Sequence, residues 1–227
     1  MSRRMILPLL FGLVGAAILI GLGVWQMQRL AEKEGILAQI EAKIAADPVV
    51  LPERLAKDPD QYLPVTVTGI YTGEGLDVLV SRKEIGAGYR VIAVMQAEGR
   101  RVLIDRGFLK DEDRVTPRPD ATAGKVTVTG NLLWPDEVDY FTPDPDIKTG
   151  LWFARDLPEM ARALNANPVL VVQSAATLAD PMIEAMPVDT VSIPNRHLGY
   201  AIQWFGLAAV WLGMTGYLLW RIRRQTV

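Results

Sequence analysis

Two long uncharged stretches stand out in the pattern of hydrophobic and polar positions, one near each end of the chain. Residues 5–24 contain no charged side chain, and residues 198–220 form a second uncharged stretch. About 20 apolar residues in an α-helix span the roughly 30 Å hydrocarbon core of a bilayer. Trp25 and Tyr200 lie near the ends of these stretches, where aromatic side chains suit a membrane interface. The pattern therefore predicts two transmembrane helices.

Positive charges lie outside both predicted spans. Arg3 and Arg4 precede the first span, and Arg221, Arg223 and Arg224 follow the second. Because cytoplasmic flanks are rich in Lys and Arg, we expect both termini to be cytoplasmic. The region between the spans, which holds all 26 acidic residues, is then periplasmic. The early start of the first span favours a multi-pass protein of the bacterial inner membrane, and a cleaved signal peptide is the alternative interpretation of that span.

Between the spans the periodicity changes from helical to alternating. Residues 28–47 repeat apolar side chains at helical spacing, which predicts a helical stalk that ends at an Asp-Pro step. Asp156, with Glu159 three residues later, predicts the start of one short helix. Short β-branched or alternating segments predict strands at 65–69, 76–80, 89–96, 101–109, 125–133, 169–173 and 188–192.

The expected fold class is an integral membrane protein with two transmembrane helices flanking a mainly antiparallel β outer domain, barrel or sandwich-like, with a short helix. Residues 97–100 predict a hairpin turn. The pentapeptide Val-Thr-Val-Thr-Gly occurs at 65–69 and at 126–130, either as a duplicated strand unit or by convergence. Prolines exclude strand interiors at 116–119 and 142–146.

The expected organisation is a cytoplasmic N-terminus (1–4), a first transmembrane helix (5–27), a helical stalk (28–47), a periplasmic β-rich domain (48–196), a second transmembrane helix (197–220) and a cytoplasmic C-terminus (221–227).

Composition removes several classes of chemistry. The chain has no cysteine, which excludes disulfides, thiolate metal sites and cysteine nucleophiles. Its one histidine, His197, begins the second span, so the outer domain has no histidine for a catalytic triad. A net charge of −2 argues against nucleic acid as a partner. Acidic runs at 111–113 and 136–137 leave open a membrane-anchored periplasmic enzyme that uses two carboxylates.

His197 is the most informative single residue. It lies at the outer edge of the second span, and neutral imidazole is a common axial ligand of haem iron. An apolar groove between the two helices would suit a porphyrin, and Arg196 with Arg29 or Lys33 could pair with its propionates. Simple hydration or contact with a lipid headgroup is the alternative role for this histidine. Small residues four apart would let the two helices approach closely, and such pairs are Gly12 and Ala16, Ala17 and Gly21, and Ala209 and Gly213.

Seven short segments follow one another in a characteristic order. They are Leu22–Gln26 with Arg29 and Lys33, Tyr62–Val65 leading to Gly69, Leu103–Phe108, Phe141–Pro143, Trp152–Asp156, Met160–Ala161, and Pro194–Ala201 with Trp204. This ordered set resembles the surfeit locus protein 1 family, the assembly factors of haem–copper terminal oxidases. Four positions depart from the family pattern: Glu32 replaces a frequent aromatic residue, Leu63 an arginine, Asp105 an asparagine and Arg196 a second asparagine.

The resemblance implies a non-enzymatic assembly factor that binds haem a between its two transmembrane helices and assists delivery to the catalytic subunit of the oxidase. His197 would be the axial ligand of the haem iron, and Trp204, two helical turns later, would pack beside the porphyrin. The implied cofactor-binding residues are His197, Trp204, Trp25, Arg196, Tyr200 and Arg29. The implied partners are the haem–copper oxidase catalytic subunit, the haem a synthesis machinery and the lipid bilayer. A family scaffold that contacts oxidase subunits without carrying haem is the alternative.

Overall fold

A computed structural model describes residues 3–83, 85–114, 124–177, 180–191 and 193–225. They form two compact units, a helical unit of residues up to Gln39 and from Thr190 onward, and a β unit of Ile40–Asp189. The helices are α1 (Arg3–Ile44), α2 (Lys57–Asp60), α3 (Leu157–Ala163) and α4 (His197–Arg224). The strands are β1 (Val49–Val50), β2 (Pro64–Arg82), β3 (Gly86–Ala97), β4 (Arg100–Lys110), β5 (Val126–Leu132), β6 (Leu151–Trp152) and β7 (Leu170–Gln173).

Both helices of the helical unit are long and apolar enough to cross a membrane. The first, α1, is one helix of 42 residues, so the first predicted span and most of the predicted stalk are continuous. The second, α4, has 28 residues and ends in a turn that contains Arg221, Arg223 and Arg224. Cations in the last turn interact favourably with the negative end of the helix dipole. The two helices are therefore compatible with membrane anchoring.

Five strands of the β unit close into a barrel. The pairs β2–β3, β3–β4, β4–β7, β7–β5 and β5–β2 form a complete circuit. Closure removes free sheet edges and leaves an interior that small and medium side chains can fill. Of the two predicted forms of the outer domain, barrel and sandwich, the barrel is the one observed.

The expectation of a mainly antiparallel sheet is wrong, because the sheet is mixed. The short strands β1 and β6 both run parallel to β2, and β7 runs parallel to β4. Parallel pairs need long crossover connections, and the connection from β4 to its parallel partner β7 contains β5, β6 and α3. Turn residues in the sequence mark hairpins, which are always antiparallel, but do not mark such crossovers.

One long strand replaces two predicted strands. Predicted strands 65–69 and 76–80 both belong to β2, which has 19 residues and an irregularity between Tyr71 and Gly75 where it pairs with β3. Such a bulge bends a strand and lets it serve two neighbours. The two Val-Thr-Val-Thr-Gly segments lie side by side in antiparallel register, with Val67 opposite Val128. Their shared role is therefore to pair with each other.

The predicted hairpin and short helix are both confirmed. Glu98 and Gly99 have φ of 47° and 78° between β3 and β4, as a two-residue turn with left-handed backbone requires. Asp156 caps α3, because its Oδ1 accepts a hydrogen bond of 3.1 Å from the backbone N–H of Glu159. The strand predicted at 188–192 is wrong as far as 191, where the described residues carry no strand, and residues 116–119 and 192 lie outside the described residues.

Two apolar layers hold the barrel together. Alternate residues of the strands fill its interior, among them Val65, Val67, Met95, Ile104 and Val171. A second cluster lies where Leu157 and Met160 of α3 pack against Ile92, Val94 and Leu103. Burying each large aliphatic side chain contributes about 1.5–3 kcal/mol. The barrel thus has a conventional hydrophobic core.

Candidate functional site

Small and polar side chains form the contact surface between α1 and α4. Buried residues on α1 are Gly12, Ala16, Gly23 and Gln26, and half-buried or buried residues on α4 are His197, Ala201, Trp204, Ala208, Trp211 and Thr215. The spacing alternates between three and four residues on both helices, as in antiparallel coiled coils and many helix bundles. We call these residues the seam. Helix pairs in membranes commonly use small residues in this way.

Glycines bring the two backbones close together. A Cβ added to Gly23 would lie 2.6 Å from the ring of Phe205, and one added to Gly15 would lie 2.5 Å from the indole nitrogen of Trp211. That nitrogen donates a 3.0 Å hydrogen bond to the carbonyl of Gly12. The predicted small-residue pair Gly12 and Ala16 therefore does lie at the contact.

The other two small-residue pairs do not. Ala17 and Gly21 are exposed, and so are Ala209 and Gly213. A Cβ added to Gly21 or Gly213 would meet no atom within 4 Å among the described residues. Spacing of four residues identifies a helix face but does not say which face meets the neighbour, which is why the sequence prediction was wrong at these two pairs.

His197 is held by one hydrogen bond across the seam. Its Nδ1 lies 2.8 Å from Oε1 of Gln26, which is itself buried. Because an amide oxygen can only accept, this contact requires the tautomer of His197 that carries a proton on Nδ1. The lone pair is then on Nε2, for which the described residues provide no hydrogen-bond partner. Histidine ligands of metals are commonly oriented in this manner through the other ring nitrogen.

Aromatic side chains collect on one side of the seam. Phe11 and Trp211 contact each other there, with ring centroids 5.3 Å apart. At 3.6 residues per turn, Tyr200 and Trp204 project within about 20° of the direction of Trp211, and they lie within two turns of His197. Tyr200 is half exposed and Trp204 is half buried. We call this side of the helix pair the tryptophan face.

Two residues of α1 lie on the same face. Arg29 projects in the same direction as Phe11, and Trp25 within about 40° of it. Both lie within one turn of Gln26, at the level of His197. The guanidinium of Arg29 lies 5.8 Å from the ring of Trp25 and pairs at 2.8 Å with Glu32. Trp25 and Arg29 thus lie within one helical turn of the histidine's partner Gln26, and Glu32 already offsets part of the charge of Arg29.

Arg196 adjoins the site from outside the helix. It occupies the N-cap position of α4, makes no capping hydrogen bond with its side chain and is exposed. Its charge is therefore available beside His197. Of the six residues that the sequence pointed to, the described part of the chain shows His197 in a hydrogen bond across the seam and Trp25 beside Arg29. A shared role for the six residues stays a prediction.

The two helices are in close contact within about one turn of His197. Ala201 is only 1% exposed, and a Cβ on Gly23 would meet the ring of Phe205. The expected groove for a porphyrin between the helices stays a prediction. The exposed surface beside the histidine is the tryptophan face.

Sequence reasoning missed Gln26 as a site residue. It was visible only as the last letter of the segment Leu22–Gln26, at the end of the predicted span. The signal that could have revealed it is the seam spacing, since Gln26 follows Gly12, Ala16 and Gly23 at intervals of three, four or seven residues. A polar residue at such a position faces the neighbouring helix and needs a partner there.

Two of the acidic candidates of the β unit, Asp111 and Glu137, are engaged in structural contacts. Oδ1 of Asp111 accepts a 2.7 Å hydrogen bond from the Tyr89 hydroxyl, and this bond raises the pKa of that phenol. Burial raises the pKa of Glu137, but the hydrogen bonds and charge of Arg155 outweigh it and hold that pKa below its usual value. The described residues contain no group of three potential metal ligands among His, Cys, Asp and Glu.

These features define a class of protein. It has a closed mixed β-barrel and a pair of long apolar helices, and a histidine of the second helix is hydrogen-bonded to a glutamine of the first. A model of the SURF1 family matches residues 13–209, and the chain belongs to that family. The match includes both seam partners, Gln26 and His197.

Relatives align over most of their lengths. A SURF1-like protein of Rickettsia felis is 26% identical over 204 residues, which are 86% of this chain and 89% of the relative. A SURF1-like protein of Monosiga brevicollis is 28% identical over 216 residues, with coverage of 87% and 82%. The human surfeit locus protein 1 is 27% identical over 220 residues, with coverage of 87% and 71%. The similarity therefore extends through the barrel and into both helices.

Proposed function

We propose that the chain is an assembly factor for a haem–copper terminal oxidase, binding haem a and assisting its delivery to the catalytic subunit. Membership of the SURF1 family supports this role, which the family resemblance implies. The role is not enzymatic: the protein binds, protects and hands over a group that another protein uses. Its partners are the oxidase catalytic subunit and the machinery that synthesises haem a.

The proposed location is the bacterial inner membrane, with α1 and α4 as the spans. Arg3 and Arg4 begin α1, while Arg221, Arg223 and Arg224 end α4, so both termini are proposed to be cytoplasmic. The guanidinium of Arg224 lies 4.0 Å from the ring of Trp220, an aromatic–basic pair suited to a membrane interface. The barrel is then periplasmic.

The observation that carries the haem proposal is the hydrogen bond from His197 to Gln26. It fixes the ring and leaves Nε2 as the nitrogen that can bind iron. A bound haem a would supply the iron and the redox-active macrocycle that the oxidase requires. Because the two helices are in close contact next to His197, we propose that the tryptophan face rather than the space between the helices holds it. Trp204, Tyr200 and Trp25 provide the apolar surface there.

Two cations suit the carboxylates of such a ligand. Arg196 is exposed beside His197, and Arg29 lies on the tryptophan face at the same level. Charge-assisted hydrogen bonds from guanidinium groups to carboxylates are the strong form of this contact. The chain holds one histidine, so a single protomer supplies one imidazole bond to the iron. A single bond of this kind would hold the haem and still allow the acceptor protein to remove it.

A scaffold without haem is the second candidate. The same hydrogen bond between His197 and Gln26 favours it, because a polar contact between two helices stabilises their pairing without any ligand. In that role the two side chains are equivalent, since losing either one removes the contact. In the haem role they are not equivalent, because only His197 would bind iron.

This difference defines the test. Wild type, His197→Ala and Gln26→Leu are each purified in detergent from cells that make haem a, and their absorption spectra are compared at equal protein concentration. The haem proposal predicts no haem in His197→Ala. It predicts retained but about 10–100-fold weaker haem binding in Gln26→Leu, which loses only the orienting contact. Equal haem in all three proteins, or none in wild type, would contradict it and favour the scaffold.

A further inference from the structure

The segment between β5 and β6 exposes two aromatic side chains. Tyr140 is 94% exposed and Phe141 is 86% exposed, more than any other large apolar side chain in the described part of the β unit. Val138 and Ile147 of the same segment are also exposed. We call Tyr140 and Phe141 the aromatic tip. Clustered exposed apolar surface of this kind is typical of an interaction site.

The aromatic tip is held in one conformation by its own turn. Oδ1 of Asp139 accepts hydrogen bonds from the backbone N–H of Phe141 at 2.9 Å and from the Thr142 hydroxyl at 3.0 Å. The backbone N–H of Asp139 in turn donates to the Thr142 hydroxyl oxygen at 2.9 Å. The two rings meet edge to face, with centroids 5.4 Å apart. A fixed tip loses little conformational entropy on binding.

A buried ion network fastens the base of the segment to the barrel. The backbone N–H and guanidinium of Arg155 both bind the carboxylate of Glu137. The same guanidinium reaches Asp105 at 3.1 Å, and Arg90 pairs with Asp105 at 2.5 Å. Asp105 belongs to β4 and is fully buried. The aromatic tip is therefore attached to the barrel wall through Glu137, three residues before Tyr140.

Charge around the tip indicates what could cover it. Four aspartates surround it in sequence, with Lys148 as the nearby cation, and they are Asp136, Asp139, Asp144 and Asp146. We call them the acidic collar. Hydrogen bonds from Thr149 lower the pKa of Asp146, which keeps that carboxylate charged. Anionic lipid headgroups would repel this collar, and a second copy docking through the same segment would oppose collar to collar.

We propose that the aromatic tip docks into an apolar pocket, rimmed by lysine or arginine, on the periplasmic side of the oxidase catalytic subunit. This inference rests on the proposed function for the identity of the partner. Two rigid aromatic anchors inside a charged rim match the usual anatomy of a protein interface. The tip would hold the subunit while His197 retains the haem, so docking and haem binding use separate residues.

The first experiment measures docking and haem binding together. Tagged full-length protein is purified from detergent-solubilised membranes, and co-purified catalytic subunit is quantified by immunoblot beside haem content. Tyr140→Ser/Phe141→Ser is expected to lose about tenfold or more of the subunit and to keep its haem. The matched control Val50→Ser, also exposed on the β unit, is expected to keep both. Asp136→Lys/Asp144→Lys is expected to lower subunit recovery several-fold.

His197→Ala separates the two proposals. It is expected to lose haem and keep the catalytic subunit, the reverse of the tip variant. If wild type recovers the subunit and the tip variant recovers as much, docking by the tip is overturned while the proposed function stands. If wild type recovers none, the proposed partner fails and the docking inference fails with it.

A second experiment identifies the occupant of the tip directly. Phe141 is replaced in cells by the photo-crosslinking residue p-benzoyl-phenylalanine. The cells are illuminated, and the adducts are analysed by immunoblot and mass spectrometry. An adduct with the catalytic subunit is expected, and none is expected from the control position Ile70, which is half exposed on the barrel. Adducts mainly with lipid, or with a second copy of this chain, would overturn the inference.

Discussion

The helical unit and the β unit are held together by opposite means. In the barrel, large aliphatic side chains such as Ile104 and Val171 fill the interior. In the seam, residues such as Gly23 and Ala201 have little or no side chain, so the two backbones lie close together. This closeness allows individual polar contacts such as the hydrogen bond between His197 and Gln26.

This contrast explains why the candidate site lies where it does. Hydrophobic burial is non-directional and tolerates a range of apolar shapes, whereas close helix contact fixes the position of each polar group. A histidine that must present one nitrogen is better oriented in the seam than on the barrel. The contrast also predicts opposite mutational behaviour: removing volume should damage the barrel, and adding volume should damage the seam.

The largest expected effect is in the barrel. Ile104→Ala should lower the free energy of unfolding by about 2–5 kcal/mol, because Ile104 is fully buried and the cavity cannot close completely. Ile70→Ala, at a half-exposed position of the same barrel, should cost less than about 0.5 kcal/mol. Urea unfolding of the full chain in detergent, followed by circular dichroism, measures both. Equal losses for the two variants would contradict the assignment of the barrel interior.

The next effect is in the seam. Gly23→Leu should push the helices apart at a cost of about 1–3 kcal/mol, since the added side chain meets Phe205. Gly21→Leu, one half-turn away and open, should cost nothing and gains helix propensity of up to about 1 kcal/mol.

Urea unfolding of the full chain in detergent, followed by circular dichroism, measures both seam variants. A loss of stability in Gly21→Leu as large as that in Gly23→Leu would show that Gly23 does not lie at the contact.

The smallest expected effect is a pH dependence of the β unit. Arg155, with help from Arg90, holds the pKa of Glu137 below its usual value against the opposing effect of burial. The stabilisation is therefore present above about pH 4.5 and is lost as the pH falls through the lower, folded-state pKa. Glu137→Gln should unfold less steeply with acid than wild type in urea titrations between about pH 6 and 3. An unchanged slope would show that Glu137 contributes nothing to acid sensitivity.

Local structure could be predicted wherever it is encoded locally. The cap of α3 by Asp156 and the turn at Glu98 and Gly99 depend on residues within a few positions of each other, so the sequence indicates them. The parallel pairing of β7 with β4 depends on a long crossover with no turn signature, so the expected antiparallel sheet was wrong.

The candidate site also has one part that could be predicted from the sequence and one part that could not. The edge of an apolar segment and its one histidine locate His197 from sequence alone, and helical spacing places Trp204 on the same side. The partner Gln26 lies 171 positions away, and only the packing of α1 on α4 joins them. The close contact along the seam could not be predicted either. It depends on which of several glycines face the neighbouring helix, and therefore on the rotation of each helix about its axis.

The most direct test of the central claim is chemical rescue of the histidine. His197→Gly is purified in detergent from cells that make haem a, with and without added imidazole, and haem content is measured by absorption spectroscopy. If Nε2 of His197 binds the iron, the variant should lack haem and free imidazole should restore it at the tryptophan face. Full haem content without imidazole, or no haem in wild type from the same cells, would contradict the account.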